Sequence, residues 1–349
     1  MDRLFNAAKR MVSVSPVYFI DIGARGGLQR PWDRFPEKYL RYYGFEPDVE
    51  ECNRLNNRNK TRKNINYLPF AVSDNESIEN LYVTQEKGCS SFYKPDSRYI
   101  NKFYHSKHWK VKETIPVKTT TLNKVFDANG IRPDFLKIDT QGAELKILKG
   151  VDKYFDNILG LEVEVEFLPW YENQPLFSEV DIFIRAKGFE LYDLNRYWAK
   201  RNNMRESGSR RGQLIFGDSI YFRSLESFYS LDFSSVEEKK YSLIKMVSIL
   251  SLYGFFDVAM EFLTHAYTPF NAAELGELER AVCYLSDYPK WQKLLFNNKI
   301  ATAFGKTLFS LGSLFMHKTK TSGWGTDYNS VDCRYPYHIK GKVSRYFRK

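Results

Sequence analysis

The sequence predicts an α/β protein: an open sheet, mostly parallel with an antiparallel last strand, followed by an α-helical C-terminal extension. Three observations carry this reading. Val17-Tyr-Phe-Ile-Asp-Ile22 and Phe135-Leu-Lys-Ile-Asp139 are short apolar runs that bring an aspartate to their carboxyl ends and lead through glycine into helix-like segments. Between and after them, apolar runs alternate with polar helical stretches, which favours parallel strands joined by right-handed crossovers. Beyond about residue 224 the alternation stops and helical periodicity alone remains. In such a sheet, ligands occupy the crevice beyond the strand carboxyl ends.

Composition agrees with a folded chain. Its 349 residues are 43% hydrophobic and 16% aromatic, enough for a large core. The four cysteines, Cys52, Cys89, Cys283 and Cys333, form no CxxC pair, so neither a disulfide framework nor a zinc site is expected. There is no run of about 18 apolar residues and no apolar core of a signal peptide, and a cytoplasmic location is expected. The net charge of +10 is uneven: residues 317–349 hold eight Lys and Arg against two Asp. Such a tail suits an anionic surface, and it equally serves solubility.

In chain order, residues 1–16 read as a short basic amphipathic helix. Val17–Ile22 is the first strand, followed by a helix over 28–39. Arg41–Glu46 is the second strand, closed by Pro47, and 48–59 is helical. Ile65 to Val72 reads as a third strand. Ile78–Thr84 and Thr114–Lys118 are strands flanking a long loop, 88–110, rich in Gly, Ser, Tyr and His. A helix over 121–129, a strand at 135–139 and a helix over 143–154 follow. Leu161–Phe167 is the next strand, then a helix over 178–187. Phe189–Leu194 and Leu214–Phe222 close the sheet as an antiparallel pair. Their connector, 195–213, holds six Arg and Lys against Glu206 and is a candidate lid. Helices are expected over 236–266, broken at Tyr253-Gly-Phe-Phe256, and over 272–286 and 291–316. The resulting layout is an N-terminal helix (1–16), an α/β domain (17–224), a helical extension (225–316) and a basic tail (317–349).

Asp21-Ile-Gly-Ala-Arg-Gly-Gly27 is a glycine turn after a strand, and the helix expected beyond it offers free N–H groups. The dinucleotide fingerprint GxGxxG is not met, because Arg25 stands at its second glycine. A tight turn with no ligand would need the same glycines. Glu46 ends the second strand 23 residues after Gly23, the place from which an acid reaches a ribose hydroxyl pair. Asp74, after the third strand, could face an adenine amino group or simply form a Ser-Asp-Asn turn.

These segments, together with Phe-Glu-Pro-Asp (45–48), Ala-Val-Ser-Asp (71–74), Gly-Cys-Ser-Ser (88–91), Thr-Thr-Thr-Leu (119–122) and Leu-Lys-Ile-Asp-Thr-Gln-Gly-Ala-Glu (136–144), resemble the FkbM family of S-adenosylmethionine-dependent methyltransferases. Glu-Val-Glu-Phe-Leu-Pro-Trp-Tyr (164–171) and Gln-Pro-Leu-Phe (174–177) continue the resemblance, which spans about residues 15–225. It implies a Rossmann-like class I methyltransferase sheet with S-adenosyl-L-methionine over the first two strands. On that pattern Asp21 lies near the methionine end, Gly23, Ala24 and Gly27 lie against the cofactor, and Glu46 sits on the ribose. The chain from 224 onward lies outside the resemblance.

For the reacting end, methyl transfer to a hydroxyl needs two groups held in line and a carboxylate to take the proton. Asp139 is the first candidate, with Gln141 and Glu144 after it; Glu144 also suits a helix N-terminus. Leu161-Glu-Val-Glu-Val-Glu-Phe167 alternates strictly, so Glu162, Glu164 and Glu166 share one face. Glu164 and Glu166, nearest the carboxyl end, are the further catalytic candidates. With Asp139 they make an oxygen-only set that would suit Mg²⁺, although no metal is expected because the reaction runs without one. His105 and His108 lack zinc-helix spacing. Trp170 and Tyr171 could stack on an acceptor ring or pack in the core.

The expected function is O-methylation of an acceptor hydroxyl, foremost on a sugar of a surface or lipid-linked glycan, with the tail touching an anionic membrane at its inner face. The alternatives are methylation of a small metabolite or natural product, and a non-catalytic nucleic-acid-binding module. Nucleic acid ranks low, because no strand alternates aromatic and basic residues. The sequence does not fix the oligomeric state.

Overall fold

The computed structural model describes residues 1–13, 15–103, 106–199, 201–202 and 212–286. The chain runs α1 (Asp2–Ala8), β1 (Val17–Ile22), β2 (Leu40–Phe45), α2 (Val49–Arg58), β3 (Ile65–Leu68), β4 (Ala71–Val72) and β5 (Ile78–Thr84). It continues with α3 (Ser97–Ile100), β6 (Val111–Thr120), α4 (Leu122–Asn129), β7 (Phe135–Ile138), α5 (Glu144–Lys149), β8 (Gly160–Glu166) and α6 (Phe177–Ala186). The antiparallel pair β9 (Phe189–Ala199) and β10 (Gln213–Arg223) precedes α7 (Leu225–Tyr229), α8 (Val236–Tyr253), α9 (Phe256–Thr264) and α10 (Ala272–Ser286).

Seven strands form one sheet in the order β3-β2-β1-β7-β8-β10-β9. The first five are parallel to one another; β10 runs antiparallel to β8 and to β9. The order reverses between β1 and β7, the switch point at which a crevice opens beyond the strand ends. This is the open, mostly parallel sheet expected, with its antiparallel close.

Four local expectations are corrected. Residues 28–39 hold two 3-10 turns, Trp32–Arg34 and Glu37–Tyr39, rather than a helix. Pro31 and Pro36 open those turns, and a proline inside an α-helix would remove a hydrogen bond and clash with the preceding turn. The run 65–72 splits into β3 and β4, separated by Pro69 and Phe70. β4 leaves the large sheet and pairs with β6, which also pairs with β5, in a sheet of order β4-β6-β5. The helix over 143–154 stops at Gly150 and resumes as a 3-10 segment, Asp152–Asn157. The N-terminal helix is confined to Asp2–Ala8. The expected helix over 291–316, the tail 317–349, His105, and Lys200, Arg205, Glu206, Arg210 and Arg211 of the connector lie outside the described residues.

The sheet separates two cores. On one face Leu161, Val163 and Val165 pack with Phe126, Leu148 and Ile184 of the flanking helices. On the other face Phe19, Trp32, Phe135 and Phe222 form one cluster with Leu243, Val247, Leu250 and Tyr253 of α8. The helical extension therefore covers the sheet directly. Ser235 caps the N-terminus of α8 by accepting from Glu238 N, and Gly254 ends it in the left-handed region, at the break read from the sequence. Lys245 of α8 donates to both oxygens of buried Asp134, at 3.0 and 2.9 Å, just before β7.

Candidate active site

A cleft of about 1170 Å³ opens along the carboxyl edge of the parallel strands. Gly23, Arg25, Gly26 and Gly27 from the turn after β1 line it, with Glu46 and Asp48 after β2 and Asp139, Thr140 and Gln141 after β7. The β5–β6 hairpin adds Leu81, Val83, Ile115 and Val117.

On the glycine-turn side, Gly23 has φ +84°, and a Cβ there would lie 2.0 Å from the Asp139 carbonyl oxygen. The glycine thus lets the β1 turn press against the end of β7, joining the two halves of the site. A Cβ on Gly27, also at positive φ, would meet the Tyr67 hydroxyl at 2.9 Å. Ala24 is buried, as required by packing, in the core cluster of the α8 face. Glu46 is buried at the cleft wall, accepts from Asp48 N at 2.9 Å, and has Arg25 at 4.0 Å. Burial raises its pKa, offset in part by the Asp48 N–H and Arg25. Asp21 lies below the lining: its carboxylate accepts from Tyr42 at 2.9 Å and from Lys137 at 3.2 Å. Asp74 sits outside the lining and accepts from its neighbour Ser73.

Across the cleft, Gln141 is the pivot. Its backbone occupies the left-handed region, φ 61°, uncommon outside glycine and frequent where function holds a strained turn. Its Nε2 donates to Asp139 Oδ1 at 3.2 Å and to Glu164 Oε2. The Tyr171 hydroxyl lies 3.0 Å from its Oε1 and 2.9 Å from the Cys89 carbonyl, and accepts from Trp109 Nε1. Ser91 Oγ donates to the Gln141 carbonyl at 2.6 Å. Lys137 lies 3.7 Å from Asp139, so one buried ammonium stands between Asp21 and Asp139.

The other predicted residues stand around this pivot. Glu164 is buried behind Gln141, and Glu166 is buried deeper on the same strand face. Burial, with Glu144 and Asp139 nearby, raises the Glu166 pKa well above the carboxylate range. Glu144 accepts from the Thr140 N–H and hydroxyl, at 2.8 and 3.0 Å, and thereby ties down the turn that carries Gln141. Burial raises its pKa to about 7. Trp170 is buried and stacks on Trp109 with ring centroids 5.0 Å apart. The structure thus gathers Gly23, Gly27, Glu46, Asp139 and Gln141 on the cleft surface, with Asp21, Ala24, Glu144, Glu164, Glu166, Trp170 and Tyr171 supporting it from beneath or behind. Among the described residues no group of three or more His, Cys, Asp or Glu could hold a metal ion.

Among the lining residues that sequence reasoning missed are Glu162, as a wall of the cleft, and Asn195, Tyr197 and Asp218 from β9 and β10. The available signal was Asp218, a charged residue within the apolar run Leu-Ile-Phe-Gly-Asp-Ser-Ile-Tyr-Phe.

Sheet order, antiparallel close and a glycine-turn cleft faced by an acid after β2 define a class I methyltransferase fold. Residues 21–191, just under half of the chain, match the family model described as the methyltransferase FkbM domain. No curated protein matches the sequence. Among solved structures, one similar chain is a methyltransferase FkbM from Methylobacillus flagellatus KT, at 13% identity, covering 61% of this chain and 45% of that one, with a TM-score of 0.35. This chain therefore matches less than half the length of that protein. Another is TrmK of M. capricolum in complex with S-adenosyl-homocysteine, at 9% identity, covering 82% and 95%, with a TM-score of 0.29. A third is a precorrin-6y C5,15-methyltransferase from Geobacter metallireducens GS-15, at 9% identity, covering 63% and 87%, with a TM-score of 0.31.

Proposed function

We propose that this cleft binds S-adenosyl-L-methionine and that the chain methylates a hydroxyl of a carbohydrate acceptor. The carrying observation is that Glu46 and the Gly23–Gly27 turn line one cleft together with Asp139 and Gln141. The residues suit the cofactor. Glu46 offers carboxylate oxygens at the end of β2, where a ribose diol is bound in sheets of this kind. Val49 and Phe70, apolar side chains 56% and 40% exposed, line the same part of the cleft and give a flat base something to pack against. When bound, the cofactor supplies an electrophilic methyl group on a sulfonium.

The chain's own residues do the rest. Asp139 faces the cleft and would accept the proton from the acceptor hydroxyl. Gln141, donating to both Asp139 and Glu164, holds the two carboxylates in fixed orientation, and the Lys137 ammonium lies 3.7 Å from Asp139. Held this way, Asp139 requires little reorganisation as the proton moves, and positioning supplies much of the rate. The acceptor is read as a surface or lipid-linked glycan. Support comes from the basic connector and tail, which suit an anionic carrier at a membrane surface. Among the described residues no helix is long and apolar enough to cross a membrane.

Calorimetric titration with S-adenosylmethionine tests the reading. Wild type is expected to bind below millimolar concentration, with Glu46→Ala at least about tenfold weaker, roughly 1.4 kcal/mol. If wild type shows no binding in that range, the proposal fails.

A further inference from the structure

We infer that β9 and β10 carry an acceptor subsite, built on Asn195, Tyr197 and Asp218, that takes a polyhydroxylated ligand through adjacent hydroxyl groups. The inference rests on the function proposed above and names the part of the cleft that selects the acceptor. All three residues lie beyond the family match, which ends at residue 191.

The subsite is a product of strand register. Asn195 pairs with Asp218, and Asp218 pairs with Glu164, so the three lie in one row on one face across β9, β10 and β8. Two residues further along, Tyr197 reaches Phe216 and Phe216 pairs with Glu166, making a second row on that face. The rings of Tyr197 and Phe216 stack with centroids 4.7 Å apart. Asn195, Tyr197 and Asp218 line the same cleft as Asp139 and Gln141, so a ligand held there is continuous with the reacting end.

Asn195 shows what kind of ligand is wanted. It is 7% exposed. Its Nδ2 donates to the Tyr197 hydroxyl at 2.9 Å and to Asp218 Oδ2 at 3.1 Å, which fixes the amide orientation. Its Oδ1 is buried with no hydrogen-bond partner. A buried unpaired carbonyl oxygen is destabilising, and a donor arriving with a ligand relieves it. Beside it, the carboxylate of Asp218 is acceptor-only when ionised. Two acceptors side by side match two neighbouring O–H donors, and a tyrosine ring at their edge offers an apolar surface to the C–H groups of a sugar ring. The amide oxygen is a neutral dipole, so this pairing reads hydroxyls and does not require a cation.

The test uses the full chain in complex with S-adenosylhomocysteine and saturation-transfer NMR. The probes are the methyl glycosides of glucose, galactose and mannose, with ethanolamine as the cationic comparison. Wild type is expected to contact at least one glycoside saturably. Asn195→Leu and Asp218→Asn should each weaken that contact at least about tenfold, with affinity for S-adenosylhomocysteine within about twofold of wild type. Thermal melts check folding, and Asp218→Asn, nearly isosteric, decides the matter if Asn195→Leu does not fold. The subsite is overturned if no glycoside makes saturable contact, if both variants bind glycoside like wild type, or if ethanolamine is preferred. Failure of wild type to bind S-adenosylhomocysteine would instead strike the cofactor reading.

Discussion

The hydroxyl of Tyr253, in α8, donates to Glu162 of β8 at 2.7 Å and accepts from the Trp32 indole N–H at 3.0 Å. A helix far outside the family segment thus orients a carboxylate that lines the cleft. Tyr253→Phe would leave the Trp32 donor unpaired in a buried setting and remove the hydroxyl that donates to Glu162. It is expected to lower stability by about 1–3 kcal/mol in urea unfolding. If α8 were a detachable layer, the substitution would have no measurable effect.

The second tie between α8 and the sheet is ionic. Lys245 reaches both oxygens of Asp134, which also accepts from Tyr18 N at 2.7 Å. Removing one member of a buried pair strands the other charge and typically costs 3–5 kcal/mol, whereas replacing both can be neutral. Lys245→Met should therefore destabilise by about 3–5 kcal/mol, and the double variant Lys245→Met/Asp134→Asn should recover a good part of that loss. A double variant no more stable than the single one would contradict the account.

How much of this was legible in the sequence depends on how local each signal is. The runs around Asp21 and Asp139 declared strands and switch point, because an apolar run followed by glycine is complete within about ten residues. Strict alternation placed Glu162, Glu164 and Glu166 on one face. It did not show that α8 covers Glu162 while Gln141 covers Glu164, since both contacts join residues more than 20 positions apart. Asn195 and Asp218 stayed hidden for the same reason: their row exists only once the antiparallel register is set. The helix expected over 28–39 is ruled out by local chemistry, because Pro31 and Pro36 interrupt it and open 3-10 turns instead.

Two buried acids give the protein a distinctive pH dependence. Burial raises Glu144 to about 7 and, with Glu144 and Asp139 nearby, raises Glu166 well above the usual carboxylate range. An unfolded chain ionises both near 4.5, so the native state binds more protons above that pH. Their contribution to stability is complete below about pH 4.5 and is lost as pH rises through their raised pKa values, about 7 for Glu144. Glu166→Gln should flatten this decline and raise stability at pH 8 by at least about 1 kcal/mol, one pKa unit being worth roughly 1.4 kcal/mol. Urea unfolding between pH 5 and 8 measures it; an unchanged slope in the variant would rule out Glu166 as its source.

Gln141 joins a left-handed backbone to a bridging side chain, and the two roles separate by substitution. Gly accepts φ 61° without the steric cost that Ala pays, so Gln141→Gly should be about 1 kcal/mol more stable than Gln141→Ala. Both lose the donor shared by Asp139 and Glu164. Methyl transfer should fall at least about tenfold in each, with S-adenosylmethionine affinity within about twofold of wild type, as expected for a group that fixes reacting geometry. Transfer retained in the glycine variant would show that the side chain does not position Asp139.

Asp48, in the cleft lining, accepts from two cations on different elements that also line it. Arg25, in the turn after β1, lies 2.7 Å from Asp48 Oδ2, and Lys87, beyond β5, lies 2.9 Å from it. The contact therefore straps the β5–β6 hairpin to the glycine turn. Asp48 also caps α2, so altering it would mix two effects; Lys87, 59% exposed, is the cleaner probe. An exposed pair adds about 0–1 kcal/mol to folding, and Lys87→Ala should leave stability within about 0.5 kcal/mol of wild type. A strap across a ligand's exit acts on dissociation, so S-adenosylhomocysteine should leave the variant about two- to fivefold faster at low salt. Screening shortens to a few ångströms as salt approaches 1 M, which weakens the wild-type strap and brings the two rates together. Stopped-flow dissociation at about 0.05 and 0.5 M salt reads both effects, and equal rates at low salt would show that the strap does not gate the cleft.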